Sequence, residues 1–235
     1  KNLSISGAFK DVNFKLHRGE ILGICGVVGS GKEELCSVIT GDVKPNHGEL
    51  FLNDKPVKFG SPYNALKKGI LSVPKERREE GIMSILTILQ NISLSAMDKI
   101  EKGKMISKKK EIQMSEYWIK KLRIKCSGYN EQAGELSGGN AQKVVFARVL
   151  ASGATLLVLD HPTRGVDVGA KEEIYGIIRD MTDQGFSVIM LGDTLDECIG
   201  MSSKIMVMKD GLITQMLDAS AENKPREVDI VKNMM

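Results

Sequence analysis

The stretch Gly26-Val27-Val28-Gly29-Ser30-Gly31-Lys32-Glu33-Glu34 decides the fold of this chain. It follows the apolar run 21–25 directly and opens a helical pattern that Gly41 closes. Glycines let successive backbone N–H groups turn toward an anion, the start of a helix adds partial positive charge, and Lys32 can reach the outer phosphates. We therefore interpret residues 26–34 as a phosphate-binding loop.

Short β-rich runs alternate with helical patterns along the rest of the chain, as in folds whose parallel strands are joined by crossover helices. Runs 70–73, 155–159 and 187–191 are apolar on both faces, like 21–25, which predicts strands of a sheet covered by helices. Two predicted hairpins, at 49–57 and 205–216, add antiparallel strands. The sequence thus predicts an α/β fold.

Composition excludes several other classes of protein. The 235 residues are 42% hydrophobic and 27% charged, which fits disordered, collagen-like and coiled-coil chains poorly. No apolar run approaches the ~18 residues that a membrane-spanning helix needs. The four cysteines show no CxxC spacing, which favours reduced thiols over a metal site or disulfide framework. The chain begins at Lys1, and we expect it to be a piece of a longer polypeptide.

Positive charge is concentrated in one segment. The chain has 33 basic and 30 acidic residues, and a net charge of +3 is too weak to indicate nucleic-acid binding. Residues 99–125, however, carry ten Lys or Arg against three Glu. A solvated helix face is the simpler interpretation, and a surface near anionic lipid headgroups is the alternative.

A second motif, Leu136-Ser137-Gly138-Gly139-Asn140, precedes a segment with helical periodicity. Ser137 and the amides that follow it at a helix N-terminus would form a second anion cradle. A third motif is the apolar run 155–159, which ends in Asp160. A carboxylate at the carboxyl end of a core strand can hold Mg²⁺ through water.

Together these motifs resemble the nucleotide-binding domain of ATP-binding cassette (ABC) transporters, over essentially the whole chain. Residues 136–144 and 162–175 are most similar to the second, C-terminal cassette of tandem ATPase subunits in bacterial importers of ribose, galactose and xylose. The resemblance implies a P-loop NTPase with a RecA-like core, an antiparallel β subdomain and an inserted helical subdomain. We assign residues 1–82 and 131–235 to the core with its β subdomain, and residues 83–130 to the helical subdomain.

The resemblance also implies roles for individual residues, with ATP and Mg²⁺ as ligands. The loop 26–34 would bind the nucleotide, and Asp160 would hold Mg²⁺ through water. Ser137, Gly138, Gly139 and Asn140 match the signature that completes a partner's site, and Asp167 matches the D-loop aspartate.

Four positions depart from the family pattern. Glu33 replaces the hydroxyl residue that ligates Mg²⁺, and Lys75 stands where the Q-loop glutamine is usual. His161 replaces the catalytic glutamate, and Asp193 falls where the switch histidine is expected. No aromatic side chain is expected to stack on adenine near residues 5–7, because Phe9 belongs to the following strand. These departures predict weak Mg-ATP binding, or binding without turnover.

The resemblance implies a working arrangement. Two cassettes pair head to tail, so the predicted partners are the first cassette of a tandem subunit or a second copy, a membrane-spanning sugar permease and, indirectly, a periplasmic or extracellular sugar-binding protein. No nucleic acid is expected, and the chain would lie at the cytoplasmic face of the cell membrane. The main interpretation is a largely non-hydrolysing cassette whose signature serves the partner's ATP site.

Two other interpretations remain open. One is a fully active ATPase with His161 as general base, because imidazole exchanges protons near neutral pH. The other is a soluble ABC protein of translation or DNA repair. The segment 162–175 argues against the latter, as does the absence of stacking aromatics in the basic segment beyond Tyr117 and Trp118.

Overall fold

The chain divides into two units, each with its own internal contacts. The computed structural model describes residues 1–103 and 105–234, so Lys104 of the basic segment lies outside the described residues. Unit 1 comprises Lys1–Leu71, Thr155–His161 and Arg179–Met235. Unit 2 comprises Ser72–Ala154 and Pro162–Ile178.

The strands and helices alternate as the sequence predicts. The strands are β1 (Leu3–Ile5), β2 (Phe9–Val12), β3 (Ile21–Cys25), β4 (Leu50–Leu52), β5 (Lys55–Val57), β6 (Ile70–Val73), β7 (Glu101–Lys102), β8 (Met105–Ile106), β9 (Leu156–Asp160), β10 (Ser187–Leu191), β11 (Lys204–Lys209) and β12 (Leu212–Asp218). The helices are α1 (Lys32–Thr40), α2 (Pro62–Lys67), α3 (Ile88–Ser93), α4 (Met97–Ile100), α5 (Lys108–Lys121), α6 (Gly138–Ser152), α7 (Val168–Asp183), α8 (Leu195–Met201) and α9 (Glu227–Met234). None of these described helices is long and apolar enough to cross a bilayer.

A six-stranded sheet has the order β12-β11-β3-β10-β9-β6. Neighbours from β11 to β9 run parallel, and β12 pairs antiparallel with β11. All residues of β3 are buried, as its unbroken apolar sequence predicts. The predicted core strands are therefore confirmed, except that β9 begins one residue later than predicted and includes Asp160.

Two small antiparallel pairs, β1–β2 and β4–β5, complete the strands of the first 60 residues. Asn53 and Asp54 turn the β4–β5 hairpin with φ of 50° and 61°, which their short polar side chains tolerate. Ser61 caps α2, and Gly41 ends α1 in a left-handed conformation, both as predicted.

Unit 2 contains the helices between β6 and β9. Thr87 and Gln90 form a capping box at the start of α3. Arg148 of α6 donates to the backbone oxygen of Asn91 at 2.8 Å and to its Oδ1 at 2.6 Å, tying α6 to α3. Burial lowers the pKa of Arg148 to about 10. These contacts hold α6, whose N-terminus carries the predicted signature.

The predicted helical subdomain differs from the structure in two details. A short hairpin, β7–β8, interrupts the helices. Met114, Trp118 and Leu122 recur at helical spacing, which predicts a stripe packed in the core, but only Leu122 is buried and the other two are half-buried. Helix α5 instead buries Glu111, whose Oε1 accepts a 2.9 Å hydrogen bond from Ser93 Oγ. Hydrophobic periodicity could not reveal this polar contact.

Candidate nucleotide-binding site

The loop between β3 and α1 has the backbone of an anion cradle. Gly29 and Gly31 adopt φ of 83° and 89°, a left-handed conformation that side-chain-bearing residues rarely adopt. The Ser30 N–H donates to the Val27 oxygen at 3.1 Å, which closes the turn before α1 begins. Val27, Val28 and Gly29 are exposed. The loop therefore presents an open surface at the N-terminus of a nine-residue helix.

The charge of the loop lysine is already paired within the loop. Lys32 Nζ lies 2.6 Å from Glu33 Oε1 and also donates to the Val27 oxygen at 3.4 Å. The Lys32 side chain is 9% exposed, whereas that of Glu33 is 39% exposed. A bound phosphate would have to compete with the Glu33 carboxylate for this ammonium group.

Asp160 and His161 form a second close pair, at the end of β9. His161 Nδ1 lies 2.5 Å from Asp160 Oδ1, and the His161 N–H donates to the Leu191 oxygen at 2.8 Å. His161 adopts a φ of 47°, the left-handed region. The imidazole is thus turned toward the carboxylate that the sequence assigns to Mg²⁺.

The Asp160 and Glu33 carboxylates both influence the buried thiol of Cys36. Burial raises the pKa of Cys36, and the Asp160 and Glu33 carboxylates raise it further while Lys32 opposes them.

Carboxylate oxygens suit Mg²⁺, so the Asp160 and Glu33 side chains fit the ion as donors. Among residues 1–103 and 105–234, no three His, Cys, Asp or Glu side chains are grouped to hold a metal unaided. Phosphate and water oxygens would therefore have to complete the shell.

Asp193 follows β10, the strand between β3 and β9 in the sheet. Leu191 is paired with Asp160, so Asp193 comes two residues after the partner of Asp160. Its side chain is exposed, and its N–H donates to Glu197 Oε2 at 2.7 Å in the first turn of α8. The carboxyl ends of β3, β10 and β9 therefore bring the phosphate loop, Asp193 and the Asp160–His161 pair to one edge of the sheet.

Phe9, the aromatic residue next to the expected adenine position, does not stack on a base. Phe9 lies in β2, as predicted, and is 3% exposed. It is therefore buried in the core rather than available to a base.

The predicted signature lies in unit 2, at the start of α6. Ser137 is the exposed N-cap residue. Asn140 Nδ2 donates to Ser137 Oγ at 2.9 Å, and Asn140 Oδ1 accepts from the Lys125 N–H at 2.8 Å. Ser137 thus begins a 15-residue helix whose first three residues are Gly138, Gly139 and Asn140.

The predicted D-loop aspartate lies in the same unit. Asp167 Oδ1 accepts from the Ala170 N–H at 2.9 Å, in the first turn of α7. A Cβ at Gly139 would lie 2.6 Å from Ala170 Cβ, so the starts of α6 and α7 pack too closely for any side chain there. Lys75, also in unit 2, is half-buried after β6. The structure thus brings the phosphate loop, Asp160, His161 and Asp193 together in unit 1, and the signature and Asp167 together in unit 2.

Sequence reasoning did not anticipate the Lys32–Glu33 and Asp160–His161 contacts at this edge of the sheet. The Lys32–Glu33 contact joins neighbours whose opposite charges are visible in the sequence. The Asp160–His161 contact accompanies a left-handed backbone at His161, which no local pattern indicates.

The family model described as "ABC transporter" matches residues 9–164, which include the phosphate loop, the signature, Asp160 and His161. The chain belongs to the ABC transporter family. Asp167 and Asp193 lie beyond the matched residues.

Relatives of this ABC chain are import proteins by name. It is 41% identical over 218 residues to the ribose import ATP-binding protein RbsA of Lacticaseibacillus paracasei, covering 93% of this chain and 44% of that protein. It is 41% identical over 206 residues to the xylose import ATP-binding protein XylG of Moorella thermoacetica, covering 87% and 41%. It is 42% identical over 212 residues to the galactose/methyl galactoside import ATP-binding protein MglA of Clostridium tetani, covering 90% and 42%. The chain spans less than half the length of these relatives.

Solved structures support the fold. A nucleotide-free ATP-binding cassette from an ABC transporter superposes with a TM-score of 0.81 at 24% identity, covering 99% of this chain and 93% of that one. The ADP conformation of the cassette MJ1267 gives the same score and identity, with 99% and 96% covered. The predicted P-loop NTPase fold is therefore confirmed.

Proposed function

We propose that this chain is one ATP-binding cassette of a bacterial sugar importer, and that its two functional surfaces are unequal. Its own phosphate loop binds ATP weakly and hydrolyses it poorly, while its signature completes the ATP site of a partner cassette. The observation that carries this proposal is the Lys32–Glu33 pair at 2.6 Å, together with the exposed Ser137 of the signature in unit 2.

The weak site follows from the groups at the sheet edge. Phosphoryl transfer requires a residue that orients the attacking water and cations that neutralise the phosphate oxygens. Glu33 instead presents a carboxylate to the phosphates and occupies Lys32, and like charges ~4 Å apart repel by several kcal/mol at an effective dielectric of ~20. Asp193 adds another carboxylate at the switch position. Mg²⁺, when bound, would supply charge neutralisation, with Asp160 holding it through water.

The signature keeps what a phosphate contact needs. Ser137 is exposed as the N-cap residue of α6, where the first backbone N–H groups of a helix can meet an anion. Asp167 in the same unit would meet the partner across the dimer. Transport energy would come mainly from the partner's site.

The relatives support the transport assignment. Their names refer to import of ribose, xylose and galactose, which suggests monosaccharide import for this chain. The partners would be a first cassette or a second copy, a membrane-spanning permease and, indirectly, a sugar-binding protein outside the cell membrane. The chain would lie at the cytoplasmic face of that membrane, with residues 83–130 as its helical subdomain.

One observation favours a second candidate function, an active ATPase with His161 as base. If Nδ1 carries the proton and donates it to Asp160, Nε2 is left as a proton acceptor, an orientation known from carboxylate-oriented catalytic histidines. A His161→Gln variant separates the two functions. Turnover at this site that is lost with His161→Gln would support the active enzyme.

The experiment that tests the main proposal uses the full polypeptide with its partner cassette. Ser137→Glu places an anion in the phosphate cradle, and we expect it to abolish ATP hydrolysis while the melting temperature stays the same. Ser84→Glu, at an exposed serine of the same unit, is the matched control and should retain activity. The isolated chain should release phosphate at saturating Mg-ATP far more slowly than ~1 s⁻¹, an ordinary enzyme rate. Activity that survives Ser137→Glu, or rapid turnover by the isolated chain, would refute the proposal.

A further inference from the structure

Arg77 holds two consecutive backbone oxygens just before the D-loop aspartate. It begins a π-helical turn, Arg77–Gly81, two residues after Lys75. Its Nη1 donates to the Arg164 oxygen at 2.5 Å and its Nη2 to the Gly165 oxygen at 2.8 Å. One planar guanidinium group therefore fixes the peptide path that leads to Asp167.

The same guanidinium lies against the signature. A Cβ at Gly138 would be 2.6 Å from Arg77 Nη2 and 3.5 Å from the Gly165 oxygen. Arg77 therefore fills the space that a side chain at position 138 would need. The signature and the segment that leads to the D-loop meet on the two sides of one side chain, and all of these residues belong to unit 2.

The surroundings of the Arg77 guanidinium group disfavour its positive charge. Burial lowers the pKa of Arg77, and neighbouring Arg78 lowers it further. Arg77 Nε is buried without a hydrogen-bond partner. Within the part of the chain that the structure describes, the ion pairs include Arg164 with Glu76 at 3.2 Å but none of Arg77 with a carboxylate. A cation close to the N-terminus of α6 is also opposed by the helix dipole. The hydrogen bonds to the Arg164 and Gly165 backbone oxygens are the contacts that stabilise Arg77 in this position.

We propose that Arg77 is a positioning residue that holds the D-loop segment 164–167 in register with the signature residues 137–139. The inference rests on the proposed function, because it concerns how this surface meets the partner's nucleotide. The guanidinium group of Arg77 keeps residues 164–167 and 137–139 in one arrangement, so that Ser137 and Asp167 reach the partner together. It also connects this surface to the segment that carries Lys75. No sequence motif singled out Arg77, since its partners are 87 and 88 residues away.

The test compares Arg77→Gln and Arg77→Lys with Arg78→Gln in the full polypeptide with its partner cassette. Arg78 is exposed and adjacent, so it controls for loss of a nearby charge. We expect both Arg77 variants to lower kcat at the partner's site by roughly 10- to 100-fold, because small misplacements of catalytic groups have effects of that size. The KM for ATP should change less than about twofold, because the partner's own phosphate loop supplies most of the binding. Lysine keeps the charge but cannot bind both oxygens, so it should not rescue kcat.

Amide hydrogen exchange supplies a readout that a general loss of stability would not reproduce. In the chain itself, the Val166 N–H donates to the Thr163 oxygen, and the Ala170 N–H donates to Asp167 Oδ1. Arg77→Gln should accelerate exchange at these two amides by at least about tenfold, while amides in the middle of α6 keep their protection.

Each outcome decides between the alternatives. If Arg77→Gln fails to fold, Arg77→Lys takes its place. Unchanged kcat in the folded variant, unchanged exchange at Val166 and Ala170, or equal losses with Arg78→Gln would overturn the inference. Ser137→Glu in the same polypeptide separates this result from the proposed function. If Ser137→Glu abolishes hydrolysis but Arg77→Lys does not lower it, the proposed function stands and the role of Arg77 is wrong.

Discussion

Replacing Glu33 with glutamine should strengthen ATP binding at this chain's own phosphate loop. The substitution keeps the shape of the side chain and removes the carboxylate that lies 2.6 Å from Lys32 Nζ. Lys32, whose side chain is only 9% exposed, would then have no competing anion beside it. A phosphate oxygen could take the position that the carboxylate now holds.

The size of the effect follows from charge, distance and exposure. Two unit charges 4 Å apart interact by about 4 kcal/mol at an effective dielectric of ~20. The Glu33 side chain is 39% exposed, so solvent screens its repulsion of a phosphate. We expect a net gain of ~1–2 kcal/mol, which corresponds to roughly 5- to 30-fold in Kd. Because a bound cation would bridge the carboxylate and the phosphates, the gain should be larger in EDTA than in Mg²⁺.

The assay is titration of the purified chain with a fluorescent ATP analogue, in EDTA and again in excess Mg²⁺. Glu34→Gln is the matched control, because Glu34 is exposed in the same first turn of α1. The reasoning is refuted if Glu33→Gln leaves Kd unchanged in EDTA. It is also refuted if Glu34→Gln tightens binding equally, since the effect would then come from net charge alone.

Two further predictions concern the own site and the stability of unit 2. His161→Glu alone should not restore hydrolysis at this phosphate loop, because catalytic groups that act together are strongly non-additive. With Glu33→Ser and Asp193→His added, phosphate release should become measurable in a two-cassette polypeptide whose first cassette is inactivated. Full activity from His161→Glu alone would contradict this prediction. Lys143, 3% exposed, pairs with Glu173 Oε2 at 2.5 Å and lowers the Glu173 pKa below its ordinary 4.5, so this stabilisation is present above that pH and is lost as pH falls through the folded-state value. Because the Glu173 side chain is 50% exposed and solvent screens the pair, Glu173→Gln should lower the melting temperature by at most about 2–4 °C at pH 7, and by less as the pH falls below 4.5. Glu172→Gln, at an exposed neighbour, should leave the melting temperature unchanged at either pH.

Local patterns were sufficient to predict most of the fold. The strands β3, β6 and β10 have the predicted bounds, because unbroken apolar runs identify strands buried on both faces. The helix ends at Gly41 and Ser61 were also predictable, because capping depends on residues close in sequence.

Features that depend on side-chain conformation or on distant contacts were not predictable. The buried Glu111 breaks the apolar pattern of α5 and is satisfied by Ser93, which lies 18 residues earlier. The contact of the His161 imidazole with Asp160 depends on the conformation of the side chain and backbone in the folded chain, which the sequence does not indicate. The residues that carry chemistry could be located by motif, but their mutual contacts could not.

The two functional surfaces differ in how strongly folding constrains their residues. Gly138 is restricted by the Arg77 guanidinium and Gly139 by Ala170, so side chains at either position would disturb the packing of unit 2. Asp193 is exposed and Glu33 is 39% exposed, so many residues would fit at these positions. The glycines of the signature are therefore explained by packing even without a phosphate contact, and their presence alone is weak evidence that the signature works. Ser137 is different, because its side chain is exposed and its hydrogen bond to Asn140 lies at the surface. Among the residues of the signature, the effect of Ser137→Glu on hydrolysis therefore reports most directly on a phosphate contact rather than on folding.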